Sequence, residues 1–213
     1  MNNHVTVLEI DGSALVHNLN YFKQKLQPET KILAVVKAFG YGSDGVQVAK
    51  FLEDKVAYFA VAYAHEGIAL REAGIQTPIL VLHPHLQNLQ AIVAYRLEPA
   101  LYNFNIFSAF LELASNAPLI NYPVHLKFNT GLNRLGFLHT DIPEILTHIK
   151  DTNNIKVQSL FSHLAASEDL SENNFNSNQI NNFTGIVQHF CKYLGYEPIL
   201  HILNTSGVIN YPK

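Results

Sequence analysis

KILAVVKAFGYG, residues 31–42, runs an apolar segment straight into a lysine and then sets a tyrosine between two glycines. Ile32 to Val36 form a continuous apolar run, the pattern of a parallel strand covered on both faces, and Lys37 closes it. Lysine is seldom buried without a purpose, so an amine at the carboxyl end of such a strand is a candidate reagent. Desolvation favours the neutral amine, and a neutral amine forms a Schiff base with an aldehyde cofactor. The competing reading is a lysine that keeps its ammonium in water ahead of an ordinary glycine-rich turn. On spacing alone the solvated lysine leads; the rest of the chain reverses that order.

Working outward, short apolar strands alternate with amphipathic helices. After a strand-like segment at 5–11 (VTVLEID), Ser13 is expected to cap a helix bearing Leu15, Leu19, Phe22 and Leu26. Strands are predicted over 31–37, 58–62, 78–82, 98–102, 124–128, 157–164 and 199–203. Helices are predicted over 44–53, 65–73, 86–95, 106–115, 142–150 and 178–194, with a last one opening near Thr205. Seven βα units follow the leader strand without a linker. The pattern predicts an α/β fold of the (β/α)8 barrel type, one unit short. The polar patch 167–182 reads as an exposed loop and helix start.

The chain has 213 residues, 48% hydrophobic and 15% charged, with a formal net charge of -3, a globular composition with room for a sizeable core. It shows no basic stripe for nucleic acid, no apolar run long enough for a bilayer, and no secretory leader in MNNHVTVLEI. Cys191 is the only cysteine, which forbids an internal disulfide and a cysteine-built zinc cage. Together these features favour a cytoplasmic setting.

In a barrel of this type the reactive residues lie at the carboxyl ends of the strands, because the following loops form the mouth. That rim carries Lys37 with Tyr41, then Lys127 with Arg134 in the turn NTGLNRLG, then His163, then Asn204, Thr205 and Ser206. Lys127 alternates out of phase with Val124, Leu126 and Phe128 and is expected on the opposite face, with His125 grouped among the apolar three. Gly131 and Gly136 suggest a tight turn that aims Arg134. Thr205–Gly207 is either a phosphate site or simply a helix cap. His83 and His85 in LHPHL lack a neighbouring carboxylate or cysteine, so no metal site is expected. No GxGxxG, P-loop or GxSxG motif is present.

AVVKAFGYG, HLKFNTGLNRLGF, SHLAAS and HILNTSG, in that order, resemble the motifs of the alanine racemase family across essentially the whole chain. Within that family they look most like the racemase half of bacterial fusions with a cell-wall peptide ligase. The resemblance implies a fold-type III barrel binding pyridoxal 5'-phosphate, with L- and D-alanine as substrates and a homodimer as the full enzyme. It implies that Lys37 carries the cofactor as a Schiff base and acts as one of two bases, and that Tyr41 binds the cofactor phosphate. Lys127 matches a lysine that is often carbamylated, positioning Arg134 near the cofactor's phenolic oxygen. His163 would contact the pyridine ring, and Thr205, beside Asn204, would bind phosphate.

Three departures stand out: Phe39 where asparagine is common, Asn129 for an aspartate, and the absence of the final barrel arginine and of the C-terminal domain that carries the second base, a tyrosine. The resemblance therefore implies that residues 1–213 are an incomplete barrel domain of a longer enzyme, inactive by itself. The alternatives are another enzyme on the same cofactor barrel, such as a decarboxylase or a different racemase, and a barrel that binds the cofactor without catalysis.

Overall fold

The computed structural model describes residues 6–150 and 152–212. Among these residues seven strands, β1 (Leu33–Val35), β2 (Tyr58–Val61), β3 (Ile79–Val81), β4 (Glu98–Leu101), β5 (Tyr122–Lys127), β6 (Ile155–Phe161) and β7 (Ile199–His201), pair in chain order in one sheet, all parallel. Helix α1 (Gly12–Lys23) precedes the sheet. A short helical segment α2 (Lys37–Tyr41) and helix α3 (Gly45–Leu52) follow β1. Helices α4 (Ala64–Glu72), α5 (Leu89–Ala94), α6 (Phe104–Asn116), α7 (Ile142–Lys150), α8 (Asn173–Leu194) and α9 (Thr205–Asn210) follow the remaining strands in turn. Strictly sequential parallel order is that of a barrel and not of a doubly wound sheet, where the order reverses.

Alternation sorts the side chains into two cores. Outside the sheet, Phe59, Val61, Ile79, Val81, Leu101, Val124, Leu126 and Leu160 pack against helix residues such as Phe107, Phe110, Ile145 and Phe190. Inside, Ala60, Leu80, Ala100 and Phe161 form a layer flanked by Leu33 and Leu82. A register shift between Val124 and His125 sets His125 opposite Ser159. This bulge leaves the interior polar pair in contact.

Several expectations need correction. β1 is not covered on both faces: Val35 is 40% exposed and lines the cavity described below, and among the described residues β1 pairs only with β2, at one edge of the sheet. The opposite edge is β7, where Leu200 is 48% exposed. The predicted leader strand has no counterpart over residues 6–11, and Val5 lies outside the described residues. Val7 and Leu8 are 72% and 62% exposed; an alternating segment becomes a strand only where a neighbour supplies the ladder. The cap of α1 is Asp11, whose Oδ1 accepts from the backbone of Ser13 and Ala14 at 2.8 and 3.1 Å. Ser13 is inside the helix. Helix α8 starts five residues before the predicted Asn178, and the patch 167–182 is not simply exposed, since Ser167, Asn176 and Gln179 are buried.

Candidate active site

The strand ends converge as the alternation requires. Lys37, Tyr41, His83, Lys127, Arg134, His163, His201, Asn204 and Thr205 all line one cavity of about 780 Å³ at the carboxyl ends of the strands. All seven residues predicted for the site are therefore brought together. The local reasons differ from residue to residue.

Lys37 leaves β1 into a left-handed turn. Ala38, Phe39, Gly40 and Tyr41 have φ of 51°, 54°, 62° and 54°. Only Gly40 and the following Gly42 favour that conformation intrinsically, so three L residues are held there by their surroundings. The Ala38 amide donates to Glu66 Oε1 at 2.7 Å, and Gly40 N donates to the Val36 carbonyl at 3.0 Å. Gly40 lies against the start of α3, where a Cβ would approach Gly45 N to 2.8 Å. The Tyr41 ring, 67% exposed, stands at the cavity rim.

Arg134 sits in a turn organised by Asn129. Asn129 Oδ1 accepts from the amides of Gly131 and Asn133 at 3.1 and 3.0 Å, while its Nδ2 donates to Asn133 Oδ1 at 2.9 Å. An aspartate would keep the accepted bonds and lose the donated one, so asparagine at this position completes the turn. Phe137 N closes the loop onto the Lys127 carbonyl at 2.9 Å. Gly136, at φ 133°, permits the closure, since a Cβ would fall 2.5 Å from Asn129 N.

The polar patch on α8 fixes the loop that bears His163. Gln179 Nε2 donates to the His163 carbonyl at 3.1 Å and Oε1 accepts from Ala165 N at 2.9 Å. Asn176 Nδ2 donates to the Ala166 carbonyl at 2.8 Å. Ser167 donates to Asn204 Oδ1 at 2.6 Å, and the same oxygen accepts from Gly207 N at 2.9 Å. Asn204 is thus the cap of α9, and its side chain is committed to shaping the loop. Thr205 is the first helical residue and exposed.

Electrostatically the mouth is cationic throughout. Burial, then Arg134, then Lys37 lower the Lys127 ammonium to about 8. His163 is depressed by burial first and then by Lys127, Arg134 and Lys37. His83 responds the same way, with Lys127 its largest charged neighbour. Among the described residues, Lys127 has no acidic ion-pair partner. Its Nζ instead lies 5.4 Å from the centre of the Phe161 ring.

Below the mouth lies a second polar cluster, which sequence reasoning missed. Tyr58 Oη donates to Glu98 Oε2 at 3.0 Å, and His125 Nε2 meets the same oxygen at 2.8 Å. His125 Nδ1 bonds Ser159 Oγ at 2.6 Å, and Ser159 Oγ reaches His201 Nε2 at 3.3 Å. His201 stacks flat on Phe161, with ring centres 4.7 Å apart and 6° between planes. Burial and the neighbouring histidines and Lys127 hold His201 neutral, well below the ordinary imidazole range. His125 therefore shares the interior face with Lys127 and not the face of Val124 and Leu126, as its two-residue spacing from Lys127 requires. That spacing, and a glutamate opening the apolar strand β4, were the available signals.

His83 and His85 both pack beside the Tyr63 ring, at 6.0 and 5.7 Å. Among the described residues no group of three or more histidine, cysteine, aspartate or glutamate side chains is arranged to hold a metal.

The family model for the alanine racemase N-terminal domain matches residues 10–213. The chain belongs to the alanine racemase family. It is 35% identical over 209 residues to the alanine racemase of Thermodesulfovibrio yellowstonii, covering 96% of this chain and 55% of that protein. The Nostoc alanine racemase is 36% identical over 214 residues, covering 97% and 54%. Among solved structures, alanine racemase from Clostridium difficile 630 superposes with a TM-score of 0.86 at 28% identity, over 94% of this chain and 56% of that one. The biosynthetic alanine racemase of Pseudomonas aeruginosa gives 0.82 at 26%, over 95% and 54%. The chain spans about half the length of the curated relatives it matches.

Proposed function

We propose that this chain supplies the cofactor-binding barrel and the lysine base of an enzyme that interconverts L- and D-alanine with pyridoxal 5'-phosphate. The observation that carries the reading is a mouth holding Lys37, Lys127 and Arg134 in which Lys127, though buried, has no acidic ion-pair partner among the described residues. A phosphorylated aldehyde fits those residues: its anionic groups offset the cations, and its aldehyde carbon is the natural partner of an amine at a strand end.

Tyr41 and Thr205 are the rim hydroxyls available to phosphate oxygens, with Asn204 shaping the Thr205 loop. His163, whose protonation is disfavoured first by burial and then by its cationic neighbours, presents an uncharged imidazole suited to lie against an aromatic ring. Arg134, aimed by the Asn129 turn, supplies a guanidinium near the ring. Bound pyridoxal phosphate supplies an electron sink for the pair left when the alanine Cα proton departs. Lys37 Nζ takes or returns that proton on one face of the substrate. Inversion needs a second base on the other face, which the family resemblance assigns to a tyrosine of a C-terminal domain in a homodimer.

Lys127 with a proton affinity near pH 8 holds an appreciable neutral fraction under mildly alkaline conditions. That neutral amine can attack carbon dioxide, forming a C–N bond and releasing a proton to solvent. The resulting carbamate would be an anion beside Arg134. Within this reading the protein works in the cytoplasm, and its D-alanine serves cell-wall precursors.

The full-length protein, incubated with L-alanine and pyridoxal phosphate in deuterium oxide, is expected to give D-alanine with deuterium at Cα. Lys37→Ala is expected to abolish this. Turnover by the Lys37→Ala variant at the parent rate would refute the assignment.

A further inference from the structure

We propose that Glu66, a residue outside the cavity lining, is the positioning residue that keeps Lys37 aimed into the mouth. It does so by bracing the left-handed turn that follows the lysine. The proposal rests on the reading of Lys37 as the aldehyde-binding amine.

Residues 38–41 adopt four consecutive positive φ values, three of them on residues with a Cβ. Each such residue costs about 1–2 kcal/mol relative to the right-handed region, and Ala38 and Phe39 bring no side-chain hydrogen bond of their own. The turn therefore needs outside support, and the Glu66 carboxylate provides it from the next loop. Oε1 accepts from Ala38 N at 2.7 Å, while Oε2 accepts from Ala62 N at 2.7 Å and Tyr63 N at 3.0 Å.

The Tyr63 contact caps the start of α4, the carboxylate of its third residue accepting from the amide of the residue that precedes the helix. Ala38 lies 28 residues away in the chain and plays no part in that cap. One carboxylate thus ties the turn after β1 to the end of β2, with both oxygens engaged by charge-assisted bonds. No lysine or arginine forms an ion pair with Glu66 among the described residues, so its charge is answered by backbone amides alone. A glutamine has a single acceptor oxygen and cannot serve both loops. Without the Ala38 bond the turn can relax toward right-handed dihedrals, and Lys37, the residue at its start, turns with it.

Three full-length proteins test the brace: the parent, Glu66→Gln, and Glu66→Gln combined with Ala38→Gly and Phe39→Gly. Each is mixed with pyridoxal phosphate and reduced with borohydride, so that the imine formed with loss of water becomes a fixed secondary amine. Labelling at Lys37 is then followed by peptide mass. A hydrogen bond to a charged group is worth about 1.5–3 kcal/mol, so labelling in Glu66→Gln is expected to fall about tenfold or more. The glycine variant is expected to restore it to within about twofold, because glycine adopts the left-handed turn without a brace. Equal labelling in parent and Glu66→Gln overturns the brace. Loss without glycine rescue also overturns it, reducing Glu66 to a cap of α4. A parent protein that is not labelled at Lys37 overturns instead the cofactor reading beneath the proposal.

Discussion

The floor and the mouth of this barrel are both polar clusters in a largely apolar interior, and they are built on opposite principles. At the floor, Glu98 gathers Tyr58 and His125, and Ser159 carries the chain to His201, so each polar group has a partner supplied by the fold. At the mouth, burial and then the charges of Lys127 and Arg134 depress the protonation of the groups around them, and Lys127 lacks an acidic partner among the described residues. Buried polar groups are normally satisfied, so a self-contained network reads as architecture. A set of converging cations reads as a receptor for an anion from outside. Two strands, β5 and β6, run through both layers, which links the rigidity of the floor to the placement of Lys127 and of the loop after β6.

If that contrast is sound, removing one group from each layer should move stability in opposite directions. Glu98→Ala leaves His125 and the Tyr58 hydroxyl without their acceptor. A broken buried pair costs about 3–5 kcal/mol, and a matching fall in the urea midpoint is expected. A change below about 1 kcal/mol would mean that the floor network is not a structural unit.

Lys127→Met should do the reverse in buffer free of carbon dioxide, raising stability at pH 7 by up to about 3 kcal/mol, the worth of its lowered proton affinity. Destabilisation there would show that Lys127 has an anionic partner or is itself anionic.

The same lysine sets a pH dependence. Its folded value, about 8, lies below its ordinary value of 10.5, so between those limits the unfolded chain binds more protons. Stability should therefore rise with pH through that window, with the full cost of the buried cation present below it. Lys127→Met should lack this rise, and urea titrations at pH 8 and 10 compare the two proteins.

The smallest effect is expected at the turn after β5 that carries Arg134 to the mouth. Asn129→Ala removes the side-chain oxygen that accepts from two backbone amides and the amide that donates to Asn133, and should cost about 1–2 kcal/mol, while Asn129→Asp should cost less than half of that. Equal losses would mean that the accepted bonds contribute little.

Much of this was legible in the chain because two periodicities govern it. Apolar runs such as PILVL and ILHIL, separated by amphipathic stretches, specify parallel strands with outer helices, and that topology puts the strand-end residues Lys37, Lys127 and His163 around one opening. What escaped depends on contacts distant in sequence. Nothing in AFGY marks Ala38 and Phe39 as left-handed; Glu66, from the next unit, holds the turn. The burial of Asn176 and Gln179 follows from the loop they support and not from their own polarity. His125 belongs to the interior face, as its two-residue spacing from Lys127 requires, although the apolar residues on either side of it suggest the outer one. VTVLEID failed as a strand because alternation describes a face and does not supply a neighbour.

The most direct test is mass mapping of the parent protein after pyridoxal phosphate and borohydride, with and without competing inorganic phosphate. A single modified residue, Lys37, with labelling slowed by phosphate, is the expected result for a cationic mouth built to receive a phosphorylated aldehyde. Modification spread over the surface lysines, with Lys37 no more reactive than the rest and phosphate without effect, would contradict it.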